Sequence, residues 1–274
     1  MSEKPDAIEV IVPVHGGAPE LERCLASLAR TLDAGANVQV VDDASHDAEV
    51  DALLAAYAGQ SRVPVRIVVQ AANLGFVRTV NAAMARSRAD VVLLNSDTIV
   101  TPGWLERIAH CAASDLRIAT ITPFSNNAEI CSLPVFCAPN PVPGDLDDTA
   151  RACVQAGAPE YPELPTGVGF CMYVRRAALD ALGDFDDATF GHGYGEENDF
   201  CMRAAAHGWR NVLADDAYVA HRGGASFAAL GLKPGGANLA RLVARYPGYN
   251  RAVADFIARD PLAARRARIA AALT

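Results

Sequence analysis

The chain has 274 residues, 51% of them hydrophobic, and a formal net charge of −8. That length suits one large α/β domain or two small ones, and the acidic balance argues against general nucleic-acid binding and a broadly basic membrane face. Seven cysteines (Cys24, Cys111, Cys131, Cys137, Cys153, Cys171 and Cys201) are an odd number without CxxC spacing, which fits reduced, mostly buried thiols in a cytoplasmic protein.

Apolar runs are strand-sized, as in VVLL at Val91 to Leu94, and none approaches the length needed to cross a bilayer. The polar N-terminus MSEKPDAIEV has no apolar stretch of the kind a signal peptide needs.

In chain order, Ile8 to Val14 (IEVIVPV) reads as a strand, with Pro13 marking its exit. Leu21, Cys24, Leu25, Leu28 and Leu32 predict a helix over Pro19 to Leu32. Val38 to Val41 and Val65 to Val69 are further strands, followed by a helix with Phe76, Val77, Val80, Ala83 and Met84 on one face. Val91 to Leu94 is the fourth strand. Continuous apolar strands in β-α-β alternation imply a mostly parallel sheet buried on both faces, a Rossmann-like three-layer sandwich. Thr101-Pro102 predicts an N-cap with proline at the first helical position, opening a helix that buries Trp104, Leu105, Ile108 and Cys111. Arg117 to Thr122 is another strand.

From Pro123 to Pro165 the pattern becomes irregular, with a short helix predicted around Thr149 to Gln155. Such a long irregular stretch is usually functional, here a loop over a cleft. Regular structure resumes with a strand at Gly169 to Val174, a helix from Arg176, a helix near Glu196 and a strand from Val212 to Val219. After Gly224 the chain turns helical. The tail from Arg251 to Thr274 carries five arginines against two aspartates. It reads as a solvated amphipathic helix or dimer contact, with a docking surface for anionic lipid as the lesser reading. No internal repeat is evident.

In doubly wound sheets ligands bind beyond the C-terminal strand ends. Those ends carry Pro13-Val14-His15-Gly16-Gly17, Asp42-Asp43-Ala44-Ser45 and Asn95-Ser96-Asp97-Thr98. Neither GxGxxG nor GxxxxGK[ST] follows the first strand, which disfavours a dinucleotide fold of the usual kind and a P-loop. A carboxylate can instead bind a base or ribose, and Asp97 offers oxygen to a hard cation. Singly, an Asp after a strand is more often a turn former; three on consecutive ends favour a site. The second cluster is Gly191 to Phe200 with Arg203. Its acids Glu196, Glu197 and Asp199 lie in a helical first turn, and Asp199 can pair with Arg203 at i, i+4. The plain reading is an acidic helix start capped by a salt bridge, yet three acids in four residues exceed what capping needs. The third is His221-Arg222-Gly223-Gly224. A lone His is more often structural, but at a strand end beside a candidate metal carboxylate it is a reasonable second ligand.

Together these clusters resemble the family-2 glycosyltransferases of the GT-A fold, within them the bacterial rhamnosyltransferase-like branch. The carriers, spread over roughly residues 8–227, are VPV at Val12 to Val14, VDDASHD at Val41 to Asp47 and NLGF at Asn73 to Phe76. LLNSDT at Leu93 to Thr98, PFSNNAEICSLP at Pro123 to Pro134, GYGEENDFCMRAAAHGW at Gly193 to Trp209 and HRGGASF complete the set. The resemblance implies a GT-A domain over 1–230, with a nucleotide-binding half (1–100) and an acceptor-binding half (101–230), and a helical extension over 231–274. It implies that Asp43 contacts the nucleobase in a pocket lined by Pro13 and His15, with Val14, Asn73, Asn95, Ser96 and Gly167 along the nucleotide-sugar site. Asp97 would bind Mg²⁺ or Mn²⁺ and His221 would complete the metal shell. Glu197 would be the general base of an inverting transfer, its proton affinity raised by clustered Glu196 and Asp199. Arg78 or Arg203 would help offset charge on the leaving diphosphate. Asn95 replaces the first acid of the family's DxD, leaving the metal site one carboxylate short, and His15 stands where a Tyr is common.

The partners so implied are a nucleotide-sugar donor, dTDP-rhamnose or a UDP- or GDP-sugar, and a glycan or lipid-linked acceptor in cell-surface polysaccharide synthesis. The expected location is the cytoplasm, peripheral at the inner membrane face if the tail docks there. One rival is a sugar nucleotidyltransferase, although His15 to Pro19 lacks the basic residue its loop usually carries. The other is a catalytically silent sugar-binding domain, against which Asp97, Glu197 and His221 all stand.

Overall fold

The computed structural model describes residues 8–33, 35–191, 193–223 and 236–273. The apolar runs become strands that alternate with amphipathic helices in the first half: β1 (Ile8–Val14), α1 (Ala18–Thr31), β2 (Ala36–Asp42), α2 (Ala48–Gln60), β3 (Val65–Val69), α3 (Phe76–Arg86) and β4 (Val91–Leu94). β3, β2, β1 and β4 pair in parallel, with Val10 opposite both Val38 and Val92. Because side chains alternate along a strand, Val10, Val12 and Val14 enter one core with α1 and α2. Ile11 enters the other with Val77, Val80 and Met84 of α3. Both faces are covered, which fits the unbroken apolar runs.

The second half adds β5 (Thr98–Val100), α4 (Trp104–Ser114), β6 (Ile118–Phe124), a 3₁₀ turn (Glu129–Cys131), α5 (Leu146–Gln155), β7 (Cys171–Val174), α6 (Arg176–Leu182), α7 (Asp187–Phe190), α8 (Glu196–Ala206) and β8 (Arg210–His221). The eight strands run in the order β3-β2-β1-β4-β7-β6-β8-β5. β7 is antiparallel to both β4 and β6, and β5 is antiparallel to β8. The sheet is therefore mixed and mostly parallel, with helices on both faces, as the alternation predicts. One boundary differs from expectation. The fourth helix is capped by Gly103 at φ 74°, because the Thr101 hydroxyl donates to the Tyr218 carbonyl on β8 at 2.6 Å instead of capping.

The tail also departs from expectation. Helices α9 (Gly236–Arg245), α10 (Tyr249–Arg259) and α11 (Ala263–Ala272) fold back on the domain. Phe256, Leu262 and Ile269 join the larger core. Arg265 is buried against Asp215 at 3.1 Å and donates to the carbonyls of Cys153, Gly157, Ala158 and Asp215. Arg251, Arg266 and Arg268 pair with Asp255, Asp260 and Glu160. Arg259 donates to the Asp255 carbonyl. Arg265 is buried and Arg266 largely so, whereas Arg251, Arg259 and Arg268 remain exposed.

Candidate active site

The ends of β1 and β2 bring three of the expected nucleotide residues together. The Asp43 N–H donates to the Val14 carbonyl at 2.8 Å, while the His15 ring lies with Nδ1 3.0 Å from the Asp43 carbonyl. The Asn73 amide sits 3.1 Å from His15 Nε2. The Asp43 carboxylate is buried and accepts the N–H groups of Leu74 (2.7 Å) and Gly75 (2.9 Å). It thereby fixes the NLGF turn, and each oxygen keeps a lone pair for a ligand. Pro13 and Val14 pair with Val41 and Asp42 along the strand. Two others already have partners within the fold. Arg78 reaches across to Asp187 of α7 at 2.8 Å. Gly167 lies buried, its N–H on the Cys201 sulfur at 3.1 Å; a Cβ there would press on Thr122 Oγ1 at 3.2 Å.

After β4 the chain turns through Asn95-Ser96-Asp97. The Asn95 N–H donates to the Phe170 carbonyl, and the Thr98 hydroxyl donates back to the Asn95 carbonyl at 2.7 Å. Pairing of β5 with β8 sets Thr98 opposite His221, so Asp97 falls beside the imidazole. His221 Nε2 is 3.5 Å from Asp97 Oδ1. The other ring nitrogen, Nδ1, lies 2.7 Å from the Asn127 carbonyl, an acceptor only, so Nδ1 carries the proton. In its neutral form the ring then presents its Nε2 lone pair to the carboxylate, the form a metal-ligating histidine takes. The ring stacks on Phe170 (centroids 5.1 Å, 21°), and Asn126 clamps the His221 backbone through both its N–H and its carbonyl. The donor set is one imidazole nitrogen and one carboxylate, chemistry that suits a divalent cation sharing its remaining positions with phosphate and water. No third His, Cys, Asp or Glu joins them among the described residues. Asn95, two residues before Asp97, is an amide and adds no carboxylate.

Glu196 and Glu197 open α8 behind three successive residues of positive φ, Gly193, Tyr194 and Gly195. At Gly195 a Cβ would lie 2.9 Å from the Phe190 ring, so only glycine fits. Glu197 Oε2 accepts the Gly195 N–H at 3.1 Å. Glu196 is buried, and one of its carboxylate oxygens has no hydrogen-bond partner. Burial first, then the adjacent Glu197 charge, raises Glu196 well above the usual carboxylate range. Glu197 is raised too, by burial and then by Glu129, while a hydrogen bond from Glu196 works the other way. Both carboxyls therefore hold a proton more tightly than an ordinary carboxylate does. Tyr194 is raised by burial and by the charges of Glu197, Asp97, Glu196 and Glu129. Its phenol therefore lies within the field of both the metal-type carboxylate and the acid pair.

Asp199 pairs with Arg203, as the i, i+4 spacing predicts, and gathers further partners. It is fully buried, with Arg203 on Oδ2 (2.8 Å) and Arg245 (2.7 Å) and Tyr246 (2.9 Å) on Oδ1. Arg203 also donates to the carbonyls of Leu182, Gly183 and Asp184. Both groups belong to a packing network, because cations from α8 and α9 converge on one desolvated carboxylate. Residues not singled out from the sequence complete the surroundings: Glu129 at φ 48°, Asn127 against His221, and Asn238 of α9, whose amide donates to the carbonyls of Phe190 (2.9 Å) and Gly193 (2.7 Å). Glu129 and Asn127 lie inside the SNNAEIC motif; Asn238 carries no sequence signal. Gly224 to Phe227 of the HRGGASF motif lies outside the described residues.

The family model for glycosyl transferase family 2 matches residues 9–183; α8 and His221 lie beyond the matched segment. An N-acetylglucosaminyl-diphospho-decaprenol L-rhamnosyltransferase of Mycobacterium tuberculosis is 26% identical over 243 residues, covering 79% of this chain and 76% of the relative. Among solved structures, GalNAc-T7 with UDP, GalNAc and Mn²⁺ superposes with a TM-score of 0.62 at 16% identity, over 80% of this chain and 44% of that one. A mannosyltransferase of Pyrobaculum calidifontis, PcManGT, with GDP-Man and Mn²⁺, gives 0.58 at 16% identity, over 98% and 86%. Residues 1–349 of Staphylococcus aureus TarS give 0.56 at 18%, over 78% and 60%. The chain thus spans less than two thirds of GalNAc-T7 and of that TarS fragment. These likenesses establish the GT-A fold.

Proposed function

Because the chain belongs to glycosyl transferase family 2, we propose that it is an inverting, metal-assisted transferase that moves a sugar from a nucleoside-diphosphate donor to a hydroxyl. The observation that carries this reading is the pairing of a metal-competent His221 Nε2 with Asp97, within the same electrostatic field as the Glu196–Glu197 pair. Asp43, His15 and Asn73 would receive the base and ribose end of the donor. Asp97 and His221 would hold Mg²⁺ or Mn²⁺, as Mn²⁺ accompanies nucleotides in two of the structural neighbours. Such an ion would supply charge stabilisation at the leaving diphosphate.

Glu197 is the proton acceptor. Ionised and steadied by the Gly195 N–H, it would take the acceptor's hydroxyl proton as the oxygen attacks the face opposite the diphosphate. Its raised proton affinity suits a base working near neutrality. The relative acting on a diphospho-decaprenol-linked sugar favours a deoxyhexose such as rhamnose as the transferred group and a lipid-linked acceptor. Such an acceptor would bring the chain to the inner membrane face in surface polysaccharide synthesis.

The reading is tested by incubating the protein with Mn²⁺, a lipid-linked N-acetylglucosamine and, in separate reactions, dTDP-rhamnose, UDP- and GDP-sugars. Release of nucleoside diphosphate with a lengthened acceptor is expected. Release of pyrophosphate would indicate nucleotidyl transfer, and no turnover with any donor would contradict an enzyme of this class.

A further inference from the structure

The chain has twenty-two arginines, and eighteen of them bond to an acid or a polar group of the fold. The four whose side chains make neither a hydrogen bond nor an ion pair among the described residues are Arg62, Arg66, Arg86 and Arg88. They lie near one another in the fold. Arg66, Arg86 and Arg88 line a single groove of about 540 Å³, and Arg62 sits in the connection that leads into it. All four side chains belong to exposed residues. Glu9 also lines this groove but forms no ion pair with them; Asn37, half-buried there, offers an amide with no partner among the described residues.

Helix-end compensation accounts for Arg86, in the last turn of α3, where cations are favourable. It does not account for Arg66 on β3 or Arg88 beyond the helix cap. Like charges gathered around one concavity repel each other and focus a positive field into it. An arginine fork matches phosphate oxygens two at a time, and the volume lies within the roughly 300–1,000 Å³ of small-ligand sites. We infer that this groove is a second ligand site that recognises a group carrying two or more phosphate charges.

The site is separate from the catalytic end. Glu9, Asn37, Val65 and Arg66 lie at the N-terminal ends of β1, β2 and β3, whereas His15, Asp43 and Asp97 follow the C-terminal ends. A seven-residue strand separates the two by about 20 Å. Phosphate of this kind has two sources, a soluble di- or triphosphate or the headgroups of an anionic bilayer. The inference stands independently of the transferase reading.

The test uses the full chain with EDTA present, so that diphosphate binding through a metal at Asp97 is suppressed. Binding of inorganic tripolyphosphate is measured by calorimetry, and co-sedimentation with vesicles of phosphatidylcholine containing phosphatidylglycerol is measured alongside. Asp97→Asn should leave both unchanged. Arg66→Gln/Arg86→Gln/Arg88→Gln should weaken whichever is seen by about tenfold or more, since each lost charge-assisted contact is worth roughly that factor; the single Arg88→Gln should give a partial loss. Tripolyphosphate binding identifies a soluble ligand, and vesicle binding alone identifies the bilayer. No binding in either arm, or binding untouched by the triple substitution, overturns the inference.

Discussion

Replacing Arg265 by methionine should unfold the protein far more easily than its place in a tail suggests. The guanidinium is 4% exposed and its partner Asp215 is 1% exposed. Removing the cation leaves Asp215 with only the N–H groups of Glu160 and Tyr161, each at 3.1 Å from Oδ1. It also strips donors from four backbone carbonyls. Breaking one side of a buried pair costs about 3–5 kcal/mol, which in a chain of this size corresponds to a Tm lower by roughly 6–20 °C. Adding the isosteric Asp215→Asn to Arg265→Met would remove the stranded charge and recover part of the loss, by a coupling of about 1–3 kcal/mol. Urea unfolding followed by circular dichroism reads both. A single variant within about 0.5 kcal/mol of the parent, with an unchanged m-value, would refute the claim that α11 is integral to the core.

Three further outcomes follow from the site. His221→Ala should weaken donor binding about tenfold or more in Mn²⁺ and leave it unchanged in EDTA; equal donor affinity of the parent with and without EDTA would contradict a metal at Asp97 and His221. Glu129→Gln removes a charge that raises Glu197, so Glu197 should ionise at lower pH and the acid limb of kcat/KM should move to lower pH; an unmoved limb would separate the two. Asn238→Ala releases the carbonyls of Phe190 and Gly193 that lead into α8. It should lower kcat roughly 10- to 100-fold while nucleoside diphosphate affinity holds, and a loss confined to KM would contradict a positioning role.

Much of the fold was legible because its signals are local. Unbroken runs such as VVLL and IEVIVPV mark strands buried on both faces, and Leu21 to Leu32 marks α1. The three-residue β5 was not legible, since Thr98–Val100 is a strand only by pairing with β8 more than a hundred residues later. Helix α2 escapes a periodicity reading because its alanine-rich surface carries almost no amphipathic contrast. At the site, Asp97, His221 and the Glu196–Glu197 pair were readable from strand ends and a glycine-rich lead-in. The Asp199–Arg203 pair was readable from its i, i+4 spacing, but not Arg245 and Tyr246, which claim the same carboxylate from a segment over forty residues downstream. Glu129 escapes notice because nothing in its own motif says that a 3₁₀ turn brings it into the field of Glu197. The burial of Arg265 was not legible either, because its acceptors at Cys153, Gly157, Ala158 and Asp215 come from distant segments.

The most direct test is a pair of titrations on Glu197→Gln, which keeps the shape of the side chain and removes the base. Nucleoside diphosphate with Mn²⁺ should bind as tightly as to the parent, while sugar transfer to the acceptor should fall by about 10²- to 10⁴-fold. Transfer at the parental rate with intact binding would remove Glu197 from the reaction and contradict the account.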